Sequence, residues 1–332
     1  MTDKAKTALI FGVGGQDGSW LARFLLERGY VVHGTSRDRE SSGFGNLKQL
    51  GIFPRVHLHS AVLTEFRSVA RVVNEVRPDE IYNLAGQSSV GLSFELPVDT
   101  LESIIVGTVN ILEAIRFLKL DTRFYNASSS ECFGNTGPNP ADETRLFHPR
   151  SPYGVGKAAA YWAVANYRES YELFACSGLL FNHESPLRPV RYVTQKIIRG
   201  AADIAEGLTD QMVLGQLSVA RDWGWAPEYV DAMWRMLNQD RPEDFVIATG
   251  DLHTLEEFVS RVFEYFNLDW RLYVRTDHHL LRPSDITHSV GNPAKAERLL
   301  GWRAETRMPG VVMKLLDAEM ARRTSAASRP AP

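Results

Sequence analysis

The stretch TALIFGVGGQDG, residues 7–18, decides the fold of this chain. Its first five residues form a short apolar segment typical of a buried strand, and a helix is predicted to follow from about residue 19 to residue 28. Gly12, Gly15 and Gly18 stand at the junction of the two elements. Because glycine lacks a Cβ, a pyrophosphate can closely approach the helix N-terminus at such a junction. The stretch therefore predicts a dinucleotide-binding turn.

Strands and helices alternate beyond this turn. Short apolar or aromatic segments predict strands at 31–35, 56–59, 80–85, 124–127 and 174–181, and helical spacing predicts helices at 65–75 and 100–118. This alternation predicts an α/β fold with a doubly wound parallel sheet of the Rossmann type, joined to a smaller, mostly C-terminal α/β lobe that binds the substrate. The predicted boundaries are 1–181 plus about 217–243 for the Rossmann domain, about 182–216 plus 244–321 for the lobe, and 322–332 for a disordered tail.

The segment Ser36-Arg37-Asp38-Arg39 follows the second predicted strand, at the position that selects the cofactor. NAD-dependent enzymes place an acidic residue there to bind the ribose diol. Arg37 is instead placed to pair with a 2′-phosphate, so the sequence favours NADP. Asp38 leaves NAD open as the alternative.

Residues 128–157 form a second informative stretch. Serines and Glu131 follow the strand at 124–127, and Ser151 is a suitable N-cap for the helix that comes next. Tyr153 and Lys157 are four residues apart on that helix and therefore share one face. We expect the ammonium of Lys157 to lower the pKa of Tyr153, so that the tyrosine can exchange a proton with a substrate hydroxyl at neutral pH. A solvated helix edge is the alternative for so common a spacing.

The composition excludes several functional classes. Of the 332 residues, 44% are hydrophobic and 23% charged, and the net charge of −3 gives no indication of nucleic-acid or membrane binding. The two cysteines, Cys132 and Cys176, make no disulfide framework and fit a reducing cytoplasm. The nine histidines lack metal-ligand spacing, and the adjacent His278 and His279 do not face together, so we expect no metal.

The chain resembles the extended short-chain dehydrogenases/reductases and, within them, the GDP-mannose 4,6-dehydratase family. The likeness runs from about Thr7 to Val312 and rests on segments such as GQDGSWLARFLLERGY, EIYNLAGQSSV, FYNASSSECFG, SPYGVGKAAAYW, LLFNHESP, YVTQKI, RDWGWAPEYVDAMW and LRPSDI. The superfamily motifs alone would also fit epimerases and reductases. FNHESP, RDWG and the serine-glutamate pair at 129 and 131 are more particular to the dehydratases.

The resemblance implies a catalytic role for each of four residues. Tyr153 acts as the base for the C4 hydroxyl, Lys157 tunes it, and Ser129 contacts the C4 oxygen. Glu131 removes the C5 proton and helps water to leave from C6, and the hydride returns from NADPH to C6. The implied reaction converts GDP-mannose to GDP-4-keto-6-deoxy-mannose for deoxysugar and polysaccharide biosynthesis.

The resemblance also implies which residues bind the cofactor and the substrate. NADP is held by Gly12, Gly15, Gln16, Asp17, Gly18, Arg37, Leu84, Ala85, Gln87, Tyr153, Lys157 and His183. The GDP-sugar is contacted by Ser88, Glu131, Asn182, Arg188, Val193, Lys196, Arg221 and Arg282. The family further implies a homodimer or homotetramer.

Three departures from the family pattern leave the adenine contacts, the substrate preference and the oligomeric state open, but they do not affect the reaction type. Val62 stands where the family has an aspartate for the adenine amino group, Leu187 replaces an arginine, and the loop after Arg37 is shorter than usual. A GDP-manno-heptose 4,6-dehydratase, with one more carbon at C6, is therefore one alternative. A nucleotide-sugar epimerase or reductase of the same fold is another, and a non-catalytic NADP-binding scaffold is the most remote.

Overall fold

The computed structural model describes residues 5–277, 280 and 282–327. Its strands are β1 (Thr7–Phe11), β2 (Val31–Ser36), β3 (His57–Ser60), β4 (Glu80–Asn83), β5 (Arg123–Ser129), β6 (Ala175–Leu180), β7 (Asn182–Glu184), β8 (Met212–Leu214), β9 (Ala220–Arg221), β10 (Trp223–Trp225), β11 (Phe245–Ile247), β12 (His253–Thr254), β13 (Val274–Thr276) and β14 (His288–Ser289). Its α-helices are α1 (Gln16–Glu27), α2 (Gly45–Gln49), α3 (Phe66–Val76), α4 (Val90–Glu95), α5 (Pro97–Leu101), α6 (Gly107–Phe117), α7 (Pro152–Tyr171), α8 (Val193–Ala205), α9 (Ala226–Leu237), α10 (Leu255–Tyr265), α11 (Trp270–Tyr273), α12 (Ala294–Leu300) and α13 (Met308–Ala327).

Seven parallel strands form the central sheet in the order β11-β6-β5-β4-β1-β2-β3. Successive strands run outward from β1 in one direction as far as β3 and then, from β4 onward, in the other direction. The order therefore reverses between β1 and β4, which is the position where open α/β sheets bind ligands beyond their carboxyl ends. The predicted doubly wound α/β fold is confirmed.

Two apolar layers cover the sheet, and a separate core lies outside it. One layer packs α1 and α9 on the sheet through residues such as Leu25 and Met233, and the opposite layer includes Val72 of α3 and Ile111 of α6. The separate core joins α8, α10 and α13 around side chains such as Phe258. Because the two cores are separate, we propose the predicted division into two domains. Helix α9 packs on the sheet and is therefore assigned to the Rossmann domain, although it follows the first residues of the lobe in the chain.

The structure differs from the sequence-based predictions at several element boundaries. The first helix begins at Gln16, three residues before the predicted start, and the fourth strand ends at Asn83. The single helix predicted at 100–118 is divided into α5, a π-helical turn over Glu102–Val106, and α6.

The predicted disordered tail also differs, because α13 continues to Ala327. Arg323 of this helix pairs with Asp203 at 2.6 Å and with Glu206 at 2.8 Å, and these ion pairs attach the last turns to α8. The rest of the tail, 328–332, lies outside the described residues, as do His278 and His279. Within the part of the chain that is described, no helix is both long and apolar enough to cross a membrane, and no group of three or more His, Cys, Asp or Glu side chains could hold a metal ion.

Candidate active site

A cavity of about 470 Å³ lies at the carboxyl ends of the central strands. Loops from both the sheet and the separate core line it, so residues that are far apart in the chain meet there. The structure brings together in its lining the predicted site residues Asp17, Leu84, Ser88, Ser129, Glu131, Tyr153, Lys157, Asn182, His183, Arg188, Val193, Lys196, Arg221 and Arg282. The other predicted residues, Gly12, Gly15, Gln16, Gly18, Arg37, Ala85 and Gln87, lie outside this lining.

The catalytic candidates are positioned by the end of β5 and the start of α7. Ser129 is the last residue of β5, and its Oγ accepts a hydrogen bond from the Glu131 N–H at 3.2 Å in a 3-10 turn. Ser151 caps α7 as predicted, since its Oγ accepts from the Gly154 N–H at 3.0 Å. A Cβ on Gly154 would lie only 2.9 Å from the Glu131 carbonyl oxygen. The first turn of α7 therefore packs directly against the turn that carries Glu131, and only a glycine permits this approach.

Lys157 is held by the strand beside it. Its Nζ donates a hydrogen bond of 2.6 Å to the Ala127 carbonyl and lies 5.7 Å from the centre of the Tyr153 ring. Burial lowers the pKa of Lys157 from 10.5 to about 8. The ammonium is thus close to the tyrosine but is hydrogen-bonded to the backbone.

The expected lowering of the Tyr153 pKa is wrong for this structure. Burial raises the pKa of Tyr153 above 10.0, and the side-chain hydrogen bond with Ser129 lowers it only in part. Removing a phenolate from water disfavours the charged form, and at this position that effect outweighs the stabilising contacts. The tyrosine therefore keeps its proton at neutral pH.

Glu131 has an environment that suits both proton uptake and proton release. Burial raises the pKa of Glu131 above 4.5, whereas the nearby Arg221 and Arg282 act to lower it and Asp285 acts to raise it. A carboxyl group whose pKa is moved toward neutrality can serve as a general base and then as a general acid.

The predicted dinucleotide turn has the close approach that its glycines allow. Gly12 has φ of +86°, and a Cβ there would lie 2.9 Å from the Cα of Ala85. A Cβ on Gly18 would lie 2.3 Å from the Gly12 carbonyl oxygen. Any larger residue at either position would push the turn away from the helix N-terminus. With glycine at both positions, the backbone forms a cradle that suits a pyrophosphate.

Gln16 and Asp17 connect this turn to the loop after β6. Gln16 Nε2 donates to the His183 carbonyl at 3.2 Å, and its Oε1 accepts from Ser185 Oγ at 2.9 Å. Asp17 pairs with His183 Nε2 at 2.9 Å. Burial opposes ionisation of Asp17, but His183 and Arg188 together lower its pKa to about 2. The sequence predicts that these side chains bind the cofactor. In the structure they also connect the first turn of α1 to the segment after β6.

A smaller cavity of about 300 Å³ lies where β2 ends. Ser36 lines it, and the Ser36 Oγ is buried without a hydrogen-bond partner among the described residues. Arg37 is the next residue and is exposed to solvent. Ser36 and Arg37 therefore lie at the end of β2, the position where dinucleotide-binding folds hold the adenosine ribose.

The cations predicted to bind the substrate have protein partners. Arg188 Nε donates to Glu184 at 3.2 Å, and Lys196 Nζ donates to the Val213 carbonyl at 2.6 Å. Arg221 and Arg282 both pair with Asp285, at 3.2 Å and 3.3 Å. Asn182 opens β7, and Val193 opens α8 at the cavity.

Two of the lining residues outside the predicted site residues, Tyr192 and Asp285, have side-chain contacts with predicted ones. The Tyr192 hydroxyl forms a hydrogen bond of 2.8 Å with Ser88 Oγ, and this contact joins the loop after β4 to the loop before α8. The guanidinium of Arg188 lies 4.6 Å from the centre of the Tyr192 ring. Asp285 is the second of these residues. Both belong to quoted segments, YVTQKI and LRPSDI, so a search for acidic and hydroxyl groups beside the predicted cations would have found them.

A doubly wound sheet, a glycine turn and adjacent Ser, Tyr and Lys side chains at the strand ends define the extended short-chain dehydrogenases/reductases. Solved structures agree with this class. The chain aligns with a Thermus thermophilus UDP-glucose 4-epimerase in complex with NAD at a TM-score of 0.79 and 25% identity, over 94% of this chain and 98% of the other. The RMD protein of Pseudomonas aeruginosa, complexed with NADPH, gives 0.78 and 21% over 96% and 98% of the two chains, which shows a shared fold alone.

The sequence comparisons identify the family. The family model for GDP-mannose 4,6 dehydratase matches residues 9–315, and the chain belongs to this family. GDP-mannose 4,6 dehydratase 2 of Arabidopsis thaliana is 43% identical over 330 residues, which cover 96% of this chain and 88% of the relative. The GDP-mannose 4,6-dehydratase of Vibrio cholerae is 43% identical over 90% of each chain.

Proposed function

We propose that this chain is a GDP-mannose 4,6-dehydratase that converts GDP-mannose to GDP-4-keto-6-deoxy-mannose. The observation that carries the proposal is the position of Glu131 in the same cavity as Ser129, Tyr153 and Lys157. A dehydratase needs a proton acceptor for C5 beside the group that acts on C4, and this arrangement supplies both. Membership of the family supports the same activity.

NADP is the proposed cofactor. The glycine cradle suits a pyrophosphate, and the exposed guanidinium of Arg37 at the end of β2 suits the phosphate of a phosphorylated ribose. Asp17, Leu84, Tyr153 and Lys157 line the main cavity and would hold the nicotinamide end of the dinucleotide. When bound, the oxidised nicotinamide would supply positive charge beside the tyrosine, accept hydride from C4 and return it to C6.

Tyr153 and Ser129 act on the C4 oxygen. Both side chains line the main cavity and interact with each other, so one substrate oxygen can contact both. Because burial holds the proton on the free Tyr153, the tyrosine becomes a base only when positive charge stabilises its phenolate. The Lys157 ammonium, 5.7 Å from the ring centre, is the positive charge that the chain itself provides.

Glu131 carries the elimination. Once C4 is a ketone, the proton on C5 is acidic, and the carboxylate removes it. The resulting carboxylic acid can then protonate the C6 hydroxyl as it leaves as water. The same oxygen atoms serve in both steps, and a pKa raised by burial suits each of them.

Arg221 and Arg282 are the proposed contacts of the diphosphate, since a guanidinium binds phosphate oxygens with two parallel donors. Val193 and Lys196 are assigned to the guanosine side, and Ser88 and Asn182 to the sugar. The GDP-manno-heptose alternative rested on Leu187. That side chain is 5% exposed and does not line the cavity, so its replacement of arginine gives the heptose no specific support.

A homo-oligomer in the cytoplasm is the proposed state of the protein. Val98 of α5 and Val106 before α6 are 65% and 40% exposed, and Val155 and Trp162 of the adjacent α7 are 46% and 63% exposed. An apolar face of this kind on neighbouring helices favours association with a second copy. The buried free thiols of Cys132 and Cys176 support a reducing compartment.

Incubation with GDP-mannose followed by mass spectrometry tests the activity. The expected product has lost one water with no net consumption of NADPH. A product of unchanged mass would indicate an epimerase, and stoichiometric oxidation of NADPH would indicate a reductase. Tyr153→Phe is the matched control, since it should still bind the dinucleotide and form no product. Competition between GDP-mannose and GDP-manno-heptose, compared as kcat/KM, decides the sugar.

A further inference from the structure

We propose that Asp285 is a positioning residue that holds Arg221 and Arg282 side by side as a preformed clamp for the substrate diphosphate. The inference rests on the proposed function, because it takes a GDP-sugar as the ligand. It adds a carboxylate to a site that sequence reasoning described only by its cations.

One oxygen atom organises the three side chains. Asp285 Oδ1 accepts hydrogen bonds from Arg221 Nη2 at 3.2 Å and from Arg282 Nη1 at 3.3 Å. It also accepts from the Ile286 N–H at 2.8 Å, which fixes the carboxylate against its own backbone. All three charged side chains line the main cavity. The two guanidiniums are therefore aligned on one fixed point at the wall of the site.

The backbone holds this arrangement in place. Arg221 lies on β9, which pairs with β14 in parallel so that Arg221 is opposite Ser289. Arg282 and Asp285 belong to the segment just before β14. Arg221 is held a second time, because its Nη1 donates to the Ala220 carbonyl at 3.0 Å. A guanidinium has five N–H donors, so Arg221 keeps donors for a ligand after these two contacts.

The charges of the cluster are balanced in favour of a diphosphate. The two guanidiniums and the Asp285 carboxylate together carry one net positive charge, and the buried Glu131 carboxyl lies within electrostatic range of both arginines. Without the Asp285 carboxylate, the two guanidiniums would repel each other, and the Arg221 side chain, only 10% exposed, would lose its hydrogen-bonded partner and keep only the Coulombic attraction of Glu131. We therefore expect the arginines to separate when Asp285 is neutralised.

The alternative role for Asp285 is that of a competitor, which merely neutralises the arginines and must be displaced. The two roles predict opposite effects on GDP binding when the Asp285 carboxylate is removed. Removal of a competing negative charge strengthens the binding of an anion, whereas removal of a positioning group weakens it. The contact from Ile286 favours positioning, since the carboxylate oxygen is fixed independently of the arginines.

Calorimetric titration of the full chain with GDP distinguishes the two roles. Asp285→Asn should weaken GDP binding at least tenfold, and it should raise KM for GDP-mannose by a larger factor than it lowers kcat. Asp285→Glu keeps a carboxylate within reach of both arginines and should remain within about threefold of the wild type. Asp251→Asn is the matched control, because it removes one carboxylate that pairs with Arg307 at 2.6 Å outside the cavity lining. It should change GDP binding less than twofold.

Circular dichroism melting establishes that each variant is folded, and Asp285→Ser is titrated in the same way if the asparagine variant is not. Unchanged or tighter GDP binding by Asp285→Asn or Asp285→Ser, with a wild type that binds GDP, would overturn the role of Asp285 alone. A kcat that falls with KM unchanged would also overturn it. A wild type that binds no GDP would overturn both this role and the proposed function.

Discussion

The pKa of Lys157 leads to a prediction about activity at alkaline pH. The structure lowers that pKa from 10.5 to about 8 through burial. At about 1.36 kcal/mol for each unit, the shift corresponds to about 3 kcal/mol in favour of the neutral amine. The Lys157 ammonium, which we propose assists Tyr153, should therefore be about 90% present at pH 7 and only about 10% present at pH 9.

The assay is the pH profile of kcat/KM for GDP-mannose at saturating cofactor. We expect an alkaline limb with a midpoint near pH 8, and a fall of about tenfold for each further unit. Lys157→Arg is the control, because a guanidinium stays protonated across this range. Whatever activity that variant keeps should show no alkaline limb near pH 8.

The contribution of Lys157 to stability increases with pH while the activity decreases. A loss of activity at alkaline pH can therefore be distinguished from unfolding. Since the pKa of Lys157 is lower in the folded chain than in the unfolded one, the unfolded chain binds more protons between pH 8 and 10.5. The contribution of this group to the free energy of unfolding therefore rises with pH in that window. An alkaline midpoint above about pH 9, or the same limb in Lys157→Arg, would refute the reasoning.

Three further predictions concern the base, the cofactor and the assembly. Glu131→Gln should lower turnover by about 10²- to 10⁴-fold, because the C5 proton is no longer removed. Reduced cofactor should then build up, and NMR should show no solvent deuterium at C5. Normal deuterium exchange at C5 would show that another residue removes the proton. Arg37→Ala should reduce the preference for NADP over NAD by about tenfold or more in dissociation constants, and an unchanged ratio would contradict the role of Arg37. Trp162→Glu should lower the mass measured by light scattering, and the wild-type mass would show that this face does not carry the contact.

The sheet and the meeting of the candidate catalytic side chains in one cavity could be predicted because they depend on local pattern. Apolar strands separated by helices allow few arrangements, and in a parallel sheet every strand ends at the same edge. Ser129 at the end of β5 and Tyr153 in the first turn of α7 therefore had to approach each other. The interruption between α5 and α6 could not be predicted, since a π-helical turn follows from packing rather than from spacing.

The protonation of the site could not be predicted from spacing. The four-residue separation of Tyr153 and Lys157 correctly put both on one face, but the effect of burial on the phenol depends on side chains from distant segments. The predicted direction of the Tyr153 pKa shift was therefore wrong. The partners of the cations were missed for a similar reason, because Asp285 meets Arg221 only through the pairing of β9 with β14.

The arginines proposed to bind the diphosphate also act on Glu131, the proposed base. Arg221 and Arg282 stabilise the Glu131 carboxylate, and Asp285 holds both of them. A diphosphate that pairs with the two arginines adds negative charge and reduces their effect on Glu131. The pKa of Glu131 should consequently be higher in the complex than in the free protein. The acid form that protonates the leaving hydroxyl at C6 is then favoured when substrate is bound, so recognition of the nucleotide and expulsion of water depend on the same pair of guanidiniums.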